Sequence, residues 1–276
     1  MTNTVLVIPA RYDSTRLPGK PLLTLAGKPM IQRVYECACL AGFERIIIAT
    51  DDERIREVCE RFGADVCMTS RSHETGSDRL AEVVAIRQLD DEDIIVNLQG
   101  DEPLTPAANL HQVADNLASH PEAMIATLST PVTNDAEYAD PNIVKVVTDA
   151  SGMALYFSRA AIPHQRDPDV HVSEYANRHI GIYAYRAKYL RDFVGMDTCQ
   201  LEQLEKLEQL RAMWHGARIH VATACEIPGR GVDTLEDLAA VEQVFLMTHE
   251  LQKKGNSAMS VDQITSAWLN NTKSVK

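Results

Sequence analysis

Three cations, Arg11, Arg16 and Lys20, share one short loop, Ile8-Pro9-Ala10-Arg11-Tyr12-Asp13-Ser14-Thr15-Arg16-Leu17-Pro18-Gly19-Lys20-Pro21. Arginine forks grip phosphate oxygens in pairs and a lysine adds a compact point charge, so the set suits a polyphosphate. The loop matches neither the dinucleotide fingerprint nor a P-loop, because Gly19-Lys20 is followed by Pro21. Taken as three cations alone, it reads equally well as a solvated surface loop. A second group is Asn97-Leu98-Gln99-Gly100-Asp101-Glu102-Pro103. Gly100 would let the backbone approach a ligand closely, and a carboxylate such as Asp101 at a strand end is placed to hold Mg²⁺ against nucleotide phosphates. Asp101 or Glu102 could instead cap a helix after Pro106. Asp233, in Pro228-Gly229-Arg230-Gly231-Val232-Asp233-Thr234, could be no more than the cap of a helix from Leu235. The turn His73-Glu74-Thr75-Gly76-Ser77-Asp78-Arg79 opens a helix, and such a turn is most often only a cap.

These groups need a scaffold, and the apolar pattern supplies one. Val5-Leu6-Val7-Ile8, Ile46-Ile47-Ile48 and Ile94-Ile95-Val96 are continuous apolar runs, which suit parallel strands covered on both faces. Amphipathic helices lie between them. Asp52 is the expected cap of one that carries Ile55, Val58, Cys59 and Phe62 inward and stops at Gly63. Another runs from about Pro29 to Gly42, and Ser77 is the expected cap of a third with Leu80, Val83 and Val84 inward. The β-α-β-α order predicts a doubly wound, Rossmann-like α/β layer, which binds nucleotides in the loops after its first strands. From about residue 122 the pattern changes to strand-like runs at 124–132, 142–148, 154–158 and 180–185, read as a mixed sheet set into the α/β body. Helices return over 200–215, with Leu204, Leu207 and Leu210 inward, and over 235–252. The expected organisation is one domain over 1–254, a mixed-sheet subdomain over about 123–199, and a polar tail over 255–276. Val261, Ile264, Trp268 and Leu269 in that tail share one helical face.

Composition narrows the partners. A formal net charge of −12 opposes binding to nucleic acid or an anionic membrane, so a phosphate site must be a local basic cluster in an acidic body. No apolar run reaches membrane-spanning length and the first residues lack signal-peptide character. The six cysteines show no C-x-x-C or zinc spacing. Reduced thiols and a cytoplasmic location are expected.

The string P-A-R-x-x-S-x-R-L-P-G-K-P-L resembles the signature of the 3-deoxy-manno-octulosonate cytidylyltransferase (CMP-Kdo synthetase) family. The likeness continues through 73–82, 97–103, 154–163, 179–186, 204–211 and 231–238, and covers roughly residues 4–246. Related CMP-sialate synthetases share the fold but differ in the loop after the first P-A-R. The resemblance implies a nucleotidyltransferase fold whose inserted mixed sheet serves dimerisation and sugar binding. It implies transfer of CMP from CTP to the acid sugar Kdo, supplying lipopolysaccharide synthesis, with 8-amino-Kdo or a sialate-type sugar as the alternative acceptor. Arg11, Arg16 and Lys20 become catalytic, and Ala10, Arg11, Arg71, Gly76, Ser77 and Gln99 become CTP-binding. Arg159, His179, Tyr183, Glu208 and Gln209 become Kdo-binding. Asp101 and Asp233 become Mg²⁺ ligands, and a homodimer is implied. One departure is Leu235, where the family usually has Pro.

Overall fold

The structure is a computed structural model that describes residues 3–13, 17–73, 75–166 and 170–253, with side chains described as far as 248. Arg16 and the tail helix expected around Trp268 lie outside the described residues.

Strand β1 (Thr4–Ala10) leads through the cationic loop into the two-residue pair β2 (Thr24–Leu25) and β3 (Lys28–Pro29), and then helix α1 (Met30–Leu40). Next come β4 (Arg45–Thr50), α2 (Glu53–Arg61), β5 (Asp65–Met68), α3 (Gly76–Ile86) and β6 (Ile94–Asn97). The second half runs α4 (Ala107–Ser119), β7 (Ile125–Pro131), α5 (Asp135–Ala139), β8 (Lys145–Thr148), β9 (Ala154–Ser158) and β10 (Asn177–Arg186). It ends with α6 (Ala187–Phe193), α7 (Gln200–Glu205), α8 (Gln209–Trp214), β11 (Ile219–Thr223) and α9 (Leu235–Lys253).

The main path of the sheet is β11-β7-β10-β6-β1-β4-β5, and β8 and β9 attach beside β10. β1 lies parallel to both β4 and β6, and β4 to β5. β10 is antiparallel to β6 and β7, while β11 is parallel to β7. The mixed segment is therefore continuous with the parallel sheet, through β10. The chain leaves β1 toward β4 and β5 and then returns to β6 on the other side. That reversal opens a crevice at the carboxyl ends of β1 and β6, where open α/β sheets bind ligands.

Alternate residues of β1 enter opposite apolar layers. Leu6 and Ile8 pack with Ile31, Val34, Ile55 and Val113; Val5 and Val7 pack with Leu80, Val84, Leu190 and Phe193. This two-sided burial is what the continuous β-branched runs demanded. Asp52 caps α2 as expected, its carboxylate accepting from the Arg54 amide, and Ile55 and Cys59 are buried.

Two local expectations fail. α3 is capped by Thr75, which exchanges reciprocal hydrogen bonds with Asp78, so Ser77 falls in the first turn and is buried. The helix expected over 200–215 breaks into α7 and α8 at Lys206, whose φ of 53° is left-handed, and Leu204 is exposed. The Glu205 carboxylate accepts from Ser158 Oγ and the Arg159 amide, tying the end of α7 to β9. The break starts a new helix with Glu208 and Gln209 at its head.

Candidate active site

A cleft of about 260 Å³ occupies the crevice, lined by Ala10 and Arg11 from the end of β1, Gly76 from α3, and Gln99, Gly100 and Asp101 after β6. Gly100 is required here by the protein's own backbone. A Cβ on Gly100 would stand 2.7 Å from the Pro9 carbonyl oxygen, so glycine lets the β6 loop close against β1 itself. The cationic loop is pinned where Gly19, with φ of 66°, donates its amide to the Tyr12 carbonyl at 3.0 Å. The next residue, Lys20, turns its side chain into the cleft.

Lys20 Nζ donates to Asp101 Oδ2 at 2.7 Å, to the Val232 carbonyl at 2.8 Å and to Asp233 Oδ1 at 3.2 Å. Residues 132 positions apart thus meet on one ammonium group. Neither capping alternative holds. α4 has Pro106 at its cap position and no side-chain cap, and α9 is capped by Thr234, whose Oγ1 accepts from the Asp237 amide while the Asp237 carboxylate takes the Asp233 and Thr234 amides. The strap 228–233 lies tight on the β6 loop. Cβ atoms on Gly229 and Gly231 would meet Leu104 Cβ at 2.4 Å and Glu102 Oε1 at 2.5 Å, and the Val232 amide donates to the Asp101 carbonyl at 2.9 Å. Burial, with Asp101 and Asp233 nearby, pushes the Glu102 carboxyl up to about 8.

A second cavity of about 110 Å³ adjoins the cleft, and Gly76 and Gln99 line both. Ser77 faces this second cavity, where its hydroxyl donates to Glu208 Oε2 at 3.1 Å. Tyr183, Tyr185, Asn97 and Gln209 complete its polar wall. Register places them: Tyr183 pairs with Asn97 across β10 and β6. Burial raises both tyrosine hydroxyls, so they stay neutral. It also raises the Glu208 carboxyl, against hydrogen bonds from Thr75 and Ser77 and the charge of Arg211. The cavity mixes neutral donors with an acidic acceptor, which is chemistry for hydroxyl groups.

Arg159 and His179 do not line this cavity. Arg159 Nε donates to the Glu205 carbonyl at 2.7 Å and Nη1 to that of Pro141 at 3.0 Å, so its charge rests on neutral acceptors. The His179 ring lies between Phe157 and Tyr183, with Nε2 at 2.9 Å from Thr127 Oγ1, and burial pushes it down to about 3. It sits at a bulge: the β10–β7 register shifts between Ile180 and Tyr183, and Thr127 Oγ1 also lies within hydrogen-bond reach of the Ile180 and Ile182 carbonyls. Arg71 is exposed, reaches the Asp51 carbonyl at 3.2 Å, and does not line the cleft. Sequence reasoning missed Arg79, which is buried, lines the cleft, and joins the ends of β4 and β5 by donating to Asp51 Oδ2 at 2.7 Å and to Thr69. Its signal was its place one turn into α3, three residues after Gly76.

A carboxyl-edge crevice with a cationic loop and converging carboxylates defines a nucleotide-using transferase. A family model for cytidylyltransferases matches residues 5–219. The chain belongs to that family, whose members are nucleotidyltransferases. Within it, the chain stands with the 3-deoxy-manno-octulosonate cytidylyltransferases. It is 55% identical over 246 residues to the one from Pseudomonas syringae pv. syringae, covering 87% of this chain and 97% of that protein. The Vibrio cholerae protein is 55% identical over 243 residues, covering 87% and 96%. Among solved structures, CMP:2-keto-3-deoxy-manno-octonic acid synthetase complexed with CTP matches with a TM-score of 0.82 at 42% identity, covering 91% of this chain and 100% of that one. A cytidylyltransferase from Leptospira borgpetersenii, at 18% identity and a TM-score of 0.58, shares the fold over 95% of this chain and 98% of its own.

Proposed function

We propose that this protein transfers CMP from CTP to Kdo and releases pyrophosphate, making the activated sugar for lipopolysaccharide assembly. The observation that carries the reading is the shared wall. Gly76 and Gln99 bound both the cationic cleft and the hydroxyl-binding cavity, so a nucleotide in one meets a sugar in the other. The relatives' names point to CTP and Kdo as the pair.

In this reading Arg11 and Lys20, joined by Arg16, hold the triphosphate and offset negative charge as a sugar hydroxyl attacks the α-phosphorus and pyrophosphate departs. Ala10, Gly76 and Gln99 seat the nucleoside. Tyr183, Glu208 and Gln209 orient the sugar. Asp101 and Asp233 are the residues that would hold Mg²⁺. Both offer hard oxygens toward one cationic point, and Mg²⁺ held by two carboxylates would take phosphate and water for the rest of its shell. The ion, when bound, supplies charge neutralisation on the phosphates and acidifies the attacking hydroxyl. None of the six cysteines, all among the described residues, is in a disulfide, in keeping with a reducing, cytoplasmic setting.

Pyrophosphate release tests the reading. The protein with CTP, Mg²⁺ and Kdo should release it at least about tenfold faster than with sialate or with UTP, a discrimination within reach of one or two polar contacts. Equal release with sialate, or none with Kdo, overturns it.

A further inference from the structure

The strap that carries Asp233 is fastened by a residue outside the cleft lining. Asn109 is fully buried on α4, among Leu110, Val113 and Leu117. Its Nδ2 donates to the Glu226 carbonyl at 2.8 Å and its Oδ1 accepts from the Glu226 amide at 3.1 Å. That reciprocal pair is what a neighbouring strand would make. One turn along, Gln112 Oε1 accepts from the Cys225 amide at 2.9 Å and its Nε2 donates to the Thr223 carbonyl at 2.8 Å. The β11–β7 ladder ends at Thr223 opposite Ser129, with the Ala224 amide still bonded to the Ser129 carbonyl. Asn109 and Gln112 take over where the sheet stops supplying partners. From there the chain enters the strap, held to Leu104 and Asp101 by the Gly229 and Val232 amides at 3.3 and 2.9 Å. Both ends of the strap are thus attached to the stretch 101–112, the same stretch that presents Asp101.

We infer that Asn109 is a positioning residue: through Glu226 and the strap, it sets where the Asp233 carboxylate stands relative to Asp101. Asn109 lines neither the cleft nor the cavity beside it. It acts because a loose strap lets Asp233 leave the ammonium group of Lys20 and the position facing Asp101. The inference rests on the proposed function only where turnover is measured, and the fastening itself is testable without it.

The experiment compares Asn109→Leu, Asn109→Asp and Gln112→Ala with wild type by amide hydrogen exchange and by calorimetric titration of Mn²⁺ in the presence of CTP. Asn109→Leu should speed exchange over residues 226–232 by about tenfold, the effect of losing a buried hydrogen-bond pair, while β1 and β4 stay protected. Asn109→Asp keeps the acceptor for the Glu226 amide and should fall between. Mn²⁺ affinity should drop in the same order, and raised Mg²⁺ should restore turnover with KM for Kdo unchanged. If Asn109→Leu does not fold, Gln112→Ala must show the same local pattern at lower amplitude. Unchanged exchange over 226–232 overturns the inference, as does faster exchange there with unaltered Mn²⁺ affinity, or loss of protection across β1 as well. A wild type that binds Mn²⁺ with CTP but does not turn over Kdo would sink the proposed function and leave the fastening standing.

Discussion

The cleft and the cavity beside it are built by different means. Around the cleft, glycines bring backbones together and one lysine gathers two acids. Gly100 admits Pro9, Gly229 and Gly231 admit Leu104 and Glu102, and Lys20 takes Asp101 and Asp233. The second cavity instead depends on departures from regular structure: the bulge between Ile180 and Tyr183, and the left-handed Lys206 that starts α8. The first arrangement is close-packed at Gly100 and Gly229, where an added methyl forces a neighbour to shift. The second is a set of side chains aimed by irregular backbone, which is how a site can be changed for a different sugar without disturbing the nucleotide.

Substitutions can break or sharpen that contrast. The largest effect is expected for Lys20→Ala, which leaves Asp101 and Asp233 facing one another and removes a charge-offsetting donor. kcat/KM for CTP should fall by about 10²–10³-fold, and near wild-type values would detach Lys20 from the nucleotide. Gly100→Ala comes next, because its Cβ must push Pro9 away; activity should fall by about 10²-fold from misplacement of the loop. Gly181→Ala, where a Cβ meets nothing within 4 Å, should be nearly silent. Equal effects of the two glycine changes would remove the contrast. Glu208→Gln should raise KM for Kdo by about tenfold, the worth of one charge-assisted hydrogen bond, with CTP affinity by calorimetry unchanged. A large loss of CTP affinity would place Glu208 on the wrong ligand.

A further effect is read on stability instead of activity and concerns His179. The folded ring, down at about 3, takes a proton far later than an unfolded histidine near 6.5. Below about 6.5 the unfolded chain binds the proton first, so stability declines as pH falls toward 3 and is indifferent to this group above 6.5. His179→Gln should flatten that decline in thermal midpoint between pH 7 and 4. Parallel curves for variant and wild type would contradict the assignment.

Much of the cleft was legible in the sequence because its signals are local. The apolar runs of β1, β4 and β6, the Asp52 cap and the string from Arg11 to Lys20 each act within a few residues. The misreadings are tertiary choices. Thr75 and Ser77 can each cap a helix, and the place of Asp78 selects Thr75. Residues 200–215 have helical periodicity without a break, yet Glu205 is drawn to Ser158 and Arg159, and Lys206 accepts a strained backbone. Beside Asp233, Thr234-Leu235-Glu236-Asp237 carries the capping-box spacing, so Asp237 selects Thr234 as Asp78 selects Thr75. That cap matters most, because it frees the Asp233 carboxylate for Lys20.

The central claim is that Asp101 and Asp233 act together in the reaction and are not helix caps. Asn at either position keeps the size and removes the charge. Mg²⁺-dependent pyrophosphate release and thermal melting, measured together on Asp101→Asn and Asp233→Asn, decide the matter. The account predicts that kcat falls by about 10²-fold or more in each variant, as when a preorganised charge-stabilising group is lost, with the melting midpoint nearly unchanged. A variant that stays active and responsive to Mg²⁺, with stability lower by about 0.5–2 kcal/mol as for a lost cap, would contradict it.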